Sequence, residues 1–139
     1  MDINFDIHKS KLIDGIWILK NNIHNDSRGS IWSSFIKKDI ESLLPNNLEF
    51  NHDKFSISRQ NVLRGIHGDN KSWKLVTCVF GSIQQVVVDC RKNSKTYGMY
   101  ESFFINKDNN ISILISPKLG NAYYVISKEA LYHYKLAYE

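Results

Sequence analysis

The sequence has few cysteines and prolines and lacks a long apolar run. Its 139 residues include two cysteines, two prolines and seven glycines. Cys78 and Cys90 lack Cys-x-x-Cys spacing and lie in apolar strand patterns, so we expect two buried free thiols and no metal-binding motif. No apolar run approaches the roughly 20 residues that span a bilayer, and the charged N-terminus does not resemble a signal peptide. The sequence therefore predicts a soluble cytoplasmic protein with no membrane partner.

The charge pattern lacks a dense basic segment. The chain carries 18 basic and 14 acidic residues, spread along its length, for a net charge of +4. A nucleic-acid-binding arm concentrates its lysines and arginines, so we expect no nucleic-acid partner, whereas a small anionic ligand such as a sugar nucleotide fits this balance. With 42% hydrophobic and 12% aromatic residues, residues 1–139 are expected to form a single domain with a real core.

Short strands separated by turn-forming residues dominate the pattern. One helix is predicted at 33–44, where apolar residues recur at helical spacing. Hairpins are predicted at Gly81-Ser82 and at 107–110. This pattern is typical of an all-β, antiparallel jelly-roll barrel or sandwich whose interior holds packed side chains or one ligand. The predicted strands span residues 13–19, 55–63, 73–80, 82–89, 98–106, 111–115, 122–127 and 131–138.

The segment NVLRGIH, residues 61–67, places His67 at the end of an apolar strand. A short polar loop follows, and the next strand begins with Trp73-Lys74. A histidine, which titrates near neutrality, beside a fixed positive charge suits the removal of a proton from a carbon next to a carbonyl. Most lone histidines are structural, but Gly65 allows the backbone to bend beside a ligand, which favours a functional role.

Several motifs occur together and in order: NVLRGIH, KLV, GSIQQVVVDCRKNSKTYG and ALYHYK. They resemble the dTDP-4-dehydrorhamnose 3,5-epimerase family of cupins, from about residue 13 to the end of the chain. DSRG at 26–29 is similar to the family's acidic-x-Arg-Gly turn. Within the family, GIHGD and YKLAYE are most similar to epimerases of GDP-linked 4-keto-6-deoxy-heptoses. The resemblance implies a cupin jelly roll.

The resemblance also implies roles for residues around the base. His67 matches the family's general base, and Lys74 matches the lysine that stabilises the enolate oxygen. The loop between them is shorter than in the hexose enzymes, so Lys71 is the alternative to Lys74.

A catalytic tyrosine is implied on the last strand. The family places it seven residues after a serine of the preceding strand, and Ser127 and Tyr134 have this interval. Alternation puts Tyr132 and Tyr134 on one strand face and His133 on the other. Aromatic residues on strands usually pack in cores. We expect Tyr134 to be the acid and Tyr132 to contact the substrate.

Arginines are expected to hold the diphosphate of the substrate, because a guanidinium binds phosphate in bidentate fashion. Arg28 and Arg64 lie in the matched motifs and are the substrate-binding candidates. Arg91, within DCRK, is expected to stabilise a turn instead.

Two amides stand where the family has titratable residues. Asn121 replaces a histidine and Gln85 replaces an aspartate, and both are expected to face the substrate, while Asp89 matches a second aspartate. The family's C-terminal segment, with the aspartate that orients the base, has no counterpart here. Asp69 and Asp89 are the candidates for that role.

The expected activity is inversion of C3, C5 or both in a nucleotide-linked 4-keto-6-deoxy hexose or heptose, within surface polysaccharide precursor synthesis. The expected reaction needs no cofactor and no metal, and the resemblance implies a homodimer with N-terminal strands exchanged or packed across the interface. One alternative is a non-catalytic module that binds a nucleotide sugar. The other is a metal-dependent cupin, although the His-x-His pair of such proteins is missing.

Overall fold

The computed structural model of the protein describes residues 5–138. They form twelve β-strands and one short α-helix, and very little of the chain is helical. The elements are β1 (Asp6–Lys9), β2 (Ile16–Lys20), β3 (His24–Asp26), β4 (Gly29–Ile31), α1 (Lys37–Glu41), β5 (His52–Arg59), β6 (Leu63–His67), β7 (Trp73–Phe80), β8 (Ile83–Asp89), β9 (Tyr100–Ile105), β10 (Ile111–Ile115), β11 (Leu119–Val125) and β12 (Glu129–Ala137).

Two antiparallel sheets face each other. The large sheet has the strand order β1-β2-β10-β7-β12-β5, and the small sheet has the order β6-β11-β8-β9. Strands β3 and β4 form a separate two-stranded hairpin. The prediction of an all-β antiparallel sandwich is confirmed.

Both predicted hairpins are wrong, because each connection crosses between the sheets. Gly81-Ser82 leads from β7 in the large sheet to β8 in the small sheet, and 107–110 leads from β9 back to β10. Gly81 adopts φ +90°, and a Cβ there would lie 2.4 Å from the carbonyl oxygen of Glu129. Only glycine fits this tight crossover.

The strand boundaries confirm two predictions and correct others. Strands at 73–80 and 111–115 are as predicted, whereas the predicted strand at 55–63 is two strands separated by a turn in which Asn61 has φ +67°. Strands β1, β3 and β4 were not predicted. The helix is shorter than the predicted 33–44, since β-branched and polar residues around it favour turns.

Two apolar cores lie on either side of the large sheet. The first fills the space between the sheets and includes Val76, Val87, Ile113 and Tyr132. The second lies on the outer side, where Ile40 of α1 packs on residues including Leu75 and Leu114. Each fully buried side chain of this size stabilises the fold by about 1.5–3 kcal/mol.

The two cysteines differ in their environment. Cys78 is buried, and burial raises the pKa of its thiol to about 11. Cys90 is exposed, which corrects the expectation of two buried thiols. It follows the last residue of β8 and points away from the core, whereas Asp89 before it points inward. In residues 5–138, no helix combines the length and apolar character required to cross a bilayer.

Candidate active site

Residues from the two facing sheets come together at one end of the sandwich, which we call the mouth. His67 at the end of β6 is the Cα partner of Asn121 on β11, and Asn121 is the partner of Val87 on β8. On the facing sheet, Lys74 opens β7 and Tyr134 lies near the end of β12. Partners across antiparallel strands point to the same side. The fold therefore brings His67, Asn121, Lys74 and Tyr134 to one mouth.

His67 and Lys74 are adjacent across the two sheets. The Lys74 ammonium donates a hydrogen bond to the backbone carbonyl oxygen of His67 at 3.4 Å. The alternative, Lys71, is exposed, and its backbone N–H donates to the Asp69 carboxylate. This geometry favours Lys74 as the cation beside the base.

The Lys74 ammonium is half-buried, and its environment changes its acidity. Desolvation lowers the pKa of Lys74, the carboxylate of Asp69 opposes that effect, and the positive charge of Lys54 adds to it. Lys54 therefore lies close enough to act on the site. It is the Cα partner of Tyr134 on the neighbouring strand β5.

Sequence reasoning missed Lys54. A lysine at the start of a strand is usually solvated, and nothing in its neighbours indicates a different role. The alternation of β5 offered a signal, because Lys54, Ser56 and Ser58 share one face and the exposed Phe55 and Ile57 share the other.

The Tyr134 side chain is half-buried at the mouth. Desolvation raises the pKa of its phenol, while the hydroxyl of Ser56 and the guanidinium of Arg64 partly oppose the shift. Arg64 is itself fixed, because its Nε donates to the hydroxyl of Ser58 at 2.8 Å. Ser56 also shares a hydrogen bond of 2.6 Å with Tyr123 on the small sheet.

Tyr132 forms the floor beneath this mouth. It has no exposed surface, and its ring stacks on Tyr123 with a centroid distance of 3.9 Å. Its hydroxyl donates to Oε1 of Gln85 at 2.6 Å, and Nε2 of Gln85 donates to Oδ1 of Asn121. Burial raises the pKa of Tyr132 well above its ordinary value. The two amides thus form a neutral, hydrogen-bonded floor.

Gly65 lets β6 approach β11 behind the base. Its φ is +125°, and a Cβ at this position would lie 2.6 Å from the carbonyl oxygen of Asn121 and from the Ala122 side chain. The register between β6 and β11 shifts at the same place, between Asn121 and Tyr123. A side chain here would push His67 away from the cavity.

Other predicted residues lie elsewhere. Arg28 is on the separate β3–β4 hairpin, where its exposed Nη2 pairs with the carboxylate of Asp26 at 2.6 Å. Arg91 stabilises a turn, as predicted, through its Nε bond of 2.9 Å to the buried carboxylate of Asp89.

No carboxylate orients His67 in residues 5–138. Asp69 accepts the backbone N–H groups of Lys71 and Ser72, and Asp89 accepts Arg91 and two hydroxyls. The expectation that one of these aspartates supports the base is wrong, because each is occupied by its own loop. Nor do three or more His, Cys, Asp or Glu side chains in this part of the chain converge as metal ligands.

Comparisons with known proteins identify the family of the chain. The family model described as dTDP-4-dehydrorhamnose 3,5-epimerase matches residues 10–139. The dTDP-4-dehydrorhamnose 3,5-epimerase of Salmonella typhimurium is 32% identical over 126 residues, covering 88% of this chain and 69% of that protein. The Escherichia coli enzyme of the same name is also 32% identical, with coverages of 88% and 68%.

Solved structures show the same fold. The dTDP-6-deoxy-D-glucose-3,5-epimerase of Legionella pneumophila, in complex with dTDP-4-keto-L-rhamnose, superposes with a TM-score of 0.89 at 31% identity and covers 98% of this chain and 73% of its own. The 3'-monoepimerase ChmJ of Streptomyces bikiniensis, in complex with dTDP-quinovose, has a TM-score of 0.84 at 25% identity, with coverages of 93% and 66%. The fold is thus a cupin-like jelly roll. The chain belongs to the dTDP-4-dehydrorhamnose 3,5-epimerase family, and its class is that of the sugar-nucleotide epimerases.

Proposed function

We propose that the protein inverts C3, C5 or both in a nucleotide-linked 4-keto-6-deoxy sugar. The observation that carries this proposal is the pairing of His67 with Lys74, whose ammonium donates to the His67 carbonyl oxygen at 3.4 Å, opposite the half-buried phenol of Tyr134. A base, a cation and a proton donor thus share one cavity mouth.

The proposed reaction conserves protons and electrons. The C4 ketone acidifies the hydrogens on C3 and C5, and His67 removes one of them as a proton. The electron pair of the broken C–H bond moves into the enolate, and Lys74 stabilises the negative oxygen. Tyr134 then returns a proton to the opposite face of the carbon. The carbonyl itself accepts the electrons, so the reaction needs no redox cofactor.

The environment of Tyr134 suits a proton donor. Desolvation raises the pKa of its phenol, so the hydroxyl keeps its proton at neutral pH until the enolate forms. A positioned acid or base contributes about 10²–10⁴-fold to the rate. Tyr132 is two residues away, but it has no exposed surface and its hydroxyl already donates to Gln85. We therefore assign it neither the donor role nor the predicted contact with the substrate.

Substrate binding is assigned to fixed polar groups. Arg64, held by Ser58, offers its remaining N–H donors to the diphosphate, and Asn121 offers its amide to a sugar hydroxyl. Gln85 was predicted to contact the substrate, but it has no exposed surface and instead supports Asn121 through a hydrogen bond. The relatives named above act on or bind dTDP sugars. Within the proposal, a GDP-linked heptose remains the finer alternative to a dTDP-linked hexose, and surface polysaccharide precursor synthesis in the cytoplasm is the proposed context.

We also propose a homodimer. Arg28 is 88% exposed on the β3–β4 hairpin and contacts Asp26 of the same hairpin, so its guanidinium is accessible to the nucleotide sugar bound by a second subunit. The edge strand β5 of the large sheet supports this proposal, because Phe55 and Ile57 are 63% and 65% exposed on its outer face.

One observation favours a second candidate, a non-catalytic module that binds a nucleotide sugar. His67 is exposed, and no carboxylate of residues 5–138 contacts its imidazole ring. A base that is not oriented by a partner loses efficiency, because its tautomer and ring position are not held.

Solvent exchange separates the two functions. The protein is incubated in deuterium oxide with a dTDP-linked 4-keto-6-deoxy hexose or a GDP-linked 4-keto-6-deoxy heptose, and C3 and C5 are followed by NMR. The epimerase predicts deuterium at one or both carbons, dependent on His67, with loss of that exchange in His67→Asn. Binding of the nucleotide sugar without any exchange would support the binding module and overturn the epimerase.

A further inference from the structure

A basic cavity of about 700 Å³ lies beside the end of β8 and the start of β11. The turn between β1 and β2 forms one wall and the loop after β8 forms the other. We name it the lysine cleft after its six basic residues: Lys9, Lys11, Arg91, Lys92, Lys95 and Lys118. One third of the chain's 18 basic residues therefore line a single cavity.

Most of this positive charge is not neutralised. Asp14 is the one carboxylate among the lining residues, and it lies 3.7 Å from the Lys9 ammonium. Arg91 is paired with the buried carboxylate of Asp89. The four remaining lysines of the cleft have no carboxylate within salt-bridge distance in the described part of the chain.

The cleft has a fixed framework. Asp89 accepts hydrogen bonds from Arg91 and from the hydroxyls of Ser94 and Thr96, both at 2.6 Å, which holds the loop that carries Lys92 and Lys95. Arg91 also donates to the backbone carbonyl oxygen of Asp14 at 2.9 Å and so joins the two walls. A preformed framework lowers the ordering cost of binding.

We propose that the lysine cleft binds a small molecule that carries a diphosphate or a comparable polyanionic group. Concave sites of about 300–1,000 Å³ suit small ligands, which favours a small molecule over an extended polymer. Lysine ammonium groups bind phosphate as point charges, and the absence of free carboxylates in the cleft favours an anion of high charge.

The cleft is separate from the catalytic mouth but touches the loop behind the base. His67, Lys74 and Tyr134 are not among the residues that line it. The backbone N–H of Lys118 donates to the carbonyl oxygen of Asp69 at 2.8 Å, two residues after His67. The diphosphate has two possible sources: the nucleotide sugar itself, reaching across the rim, or a second phosphorylated metabolite.

Titration calorimetry with inorganic pyrophosphate tests the cleft directly. Exposed ion pairs each contribute modestly, so Lys92→Gln combined with Lys95→Gln is expected to weaken pyrophosphate binding about tenfold. The control, Lys107→Gln combined with Lys128→Gln, removes the same charge from exposed sites elsewhere and is expected to change the affinity less than about twofold. Thermal melts check that both variants are folded.

Competition with dTDP and a further variant distinguish the two possible sources of the diphosphate. If saturating dTDP abolishes pyrophosphate binding in the wild type, the cleft serves the nucleotide sugar, and if binding persists, it serves a separate metabolite. The proposal is overturned if the cleft variant binds like the wild type, or if both double variants weaken equally, which would reflect net charge. It is also overturned if Arg64→Gln alone abolishes binding, which would assign pyrophosphate to the catalytic cavity.

Discussion

Tyr132 and Tyr134 lie two residues apart on the same face of β12, but their surroundings differ. Tyr132 is fully buried, stacked on Tyr123, and bonded to Gln85, which in turn bonds to Asn121. Tyr134 is half-buried and neighbours Lys54 and Arg64. The floor of the cavity is made of satisfied neutral groups, whereas the mouth is made of cations and a phenol within reach of solvent.

This difference separates stability from chemistry. A buried polar group costs free energy unless it is hydrogen-bonded, so each partner in the floor contributes to the stability of the fold. A group at the mouth remains hydrated on one side and tolerates change in the apo protein. Mutations at the floor should therefore lower stability first, and mutations at the mouth should lower the rate first.

The largest expected effect is at the mouth. His67→Asn removes the proposed base, and the rate of the proposed epimerisation should fall about 10²–10⁴-fold, with a thermal midpoint close to that of the wild type. Steady-state kinetics and a thermal melt measure both properties, with His8→Asn on the exposed strand β1 as the matched control. A large loss of stability in His67→Asn would contradict the claim that substitutions at the mouth affect the rate and not the stability.

A charge placed in the floor should produce the next largest effect. In Gln85→Glu, the buried carboxyl has a higher pKa when folded than when unfolded, because burial disfavours its ionised form. Stability is then intact below about pH 4, where both states are protonated, and falls as pH rises, by about 3 to 4 kcal/mol at pH 7.

Urea unfolding as a function of pH measures this change. Gln84→Glu is the control, since Gln84 lies next to Gln85 on the outward side of β8 and bonds to Ser102 there. Its stability should follow that of the wild type at every pH. A Gln85→Glu variant without pH dependence would show that solvent reaches the floor.

Tyr132→Phe should have a smaller effect on stability. It removes the hydroxyl that donates to Gln85, leaves a buried acceptor without that donor, and should cost about 1–3 kcal/mol in the free energy of unfolding. Tyr124→Phe removes a hydroxyl that donates to Asn61 at the exposed surface, where water can replace it, and should cost less than about 0.5 kcal/mol. Equal losses in the two variants, measured by urea unfolding, would contradict the role of the floor.

The smallest effect is expected for Lys54→Gln. The positive charge of Lys54 lowers the pKa of Lys74, so its removal should raise that pKa. If Lys74 stabilises the enolate as proposed, the rate should fall at high pH when its ammonium loses a proton, and this decline should move to higher pH in Lys54→Gln. The pH profile of kcat measures the shift, with the exposed Lys38→Gln as control. A shift to lower pH would contradict the coupling.

The sequence predicted most of the strands of the two main sheets and the proximity of His67 and Lys74, because both depend on local patterns. NVLRGIH ends a strand at a histidine, and the next strand starts at once with Lys74. The sequence did not predict which connections cross from one sheet to the other. A Gly-Ser turn such as Gly81-Ser82 is equally compatible with a hairpin within one sheet and with a crossover between two sheets. Which sheet a strand joins depends on partners distant in the chain.

Register explains the other differences. Lys54 resembles any solvated lysine until β5 is paired with β12 and it is placed opposite Tyr134. The environment of Cys90 depends on where β8 ends, one residue before it. The amide pair of Gln85 and Asn121 was expected to face the substrate, but their bond to each other and to Tyr132 depends on two strands and a facing sheet.

The rate of formation of inverted, deuterium-labelled product in deuterium oxide tests the central assignment most directly when Tyr134→Phe and Tyr132→Phe are compared. We predict that Tyr134→Phe lowers this rate about 10²–10⁴-fold, while Tyr132→Phe, measured under conditions where it is folded, loses far less. A Tyr134→Phe variant that inverts the sugar at the wild-type rate, with the loss in Tyr132→Phe instead, would contradict the account.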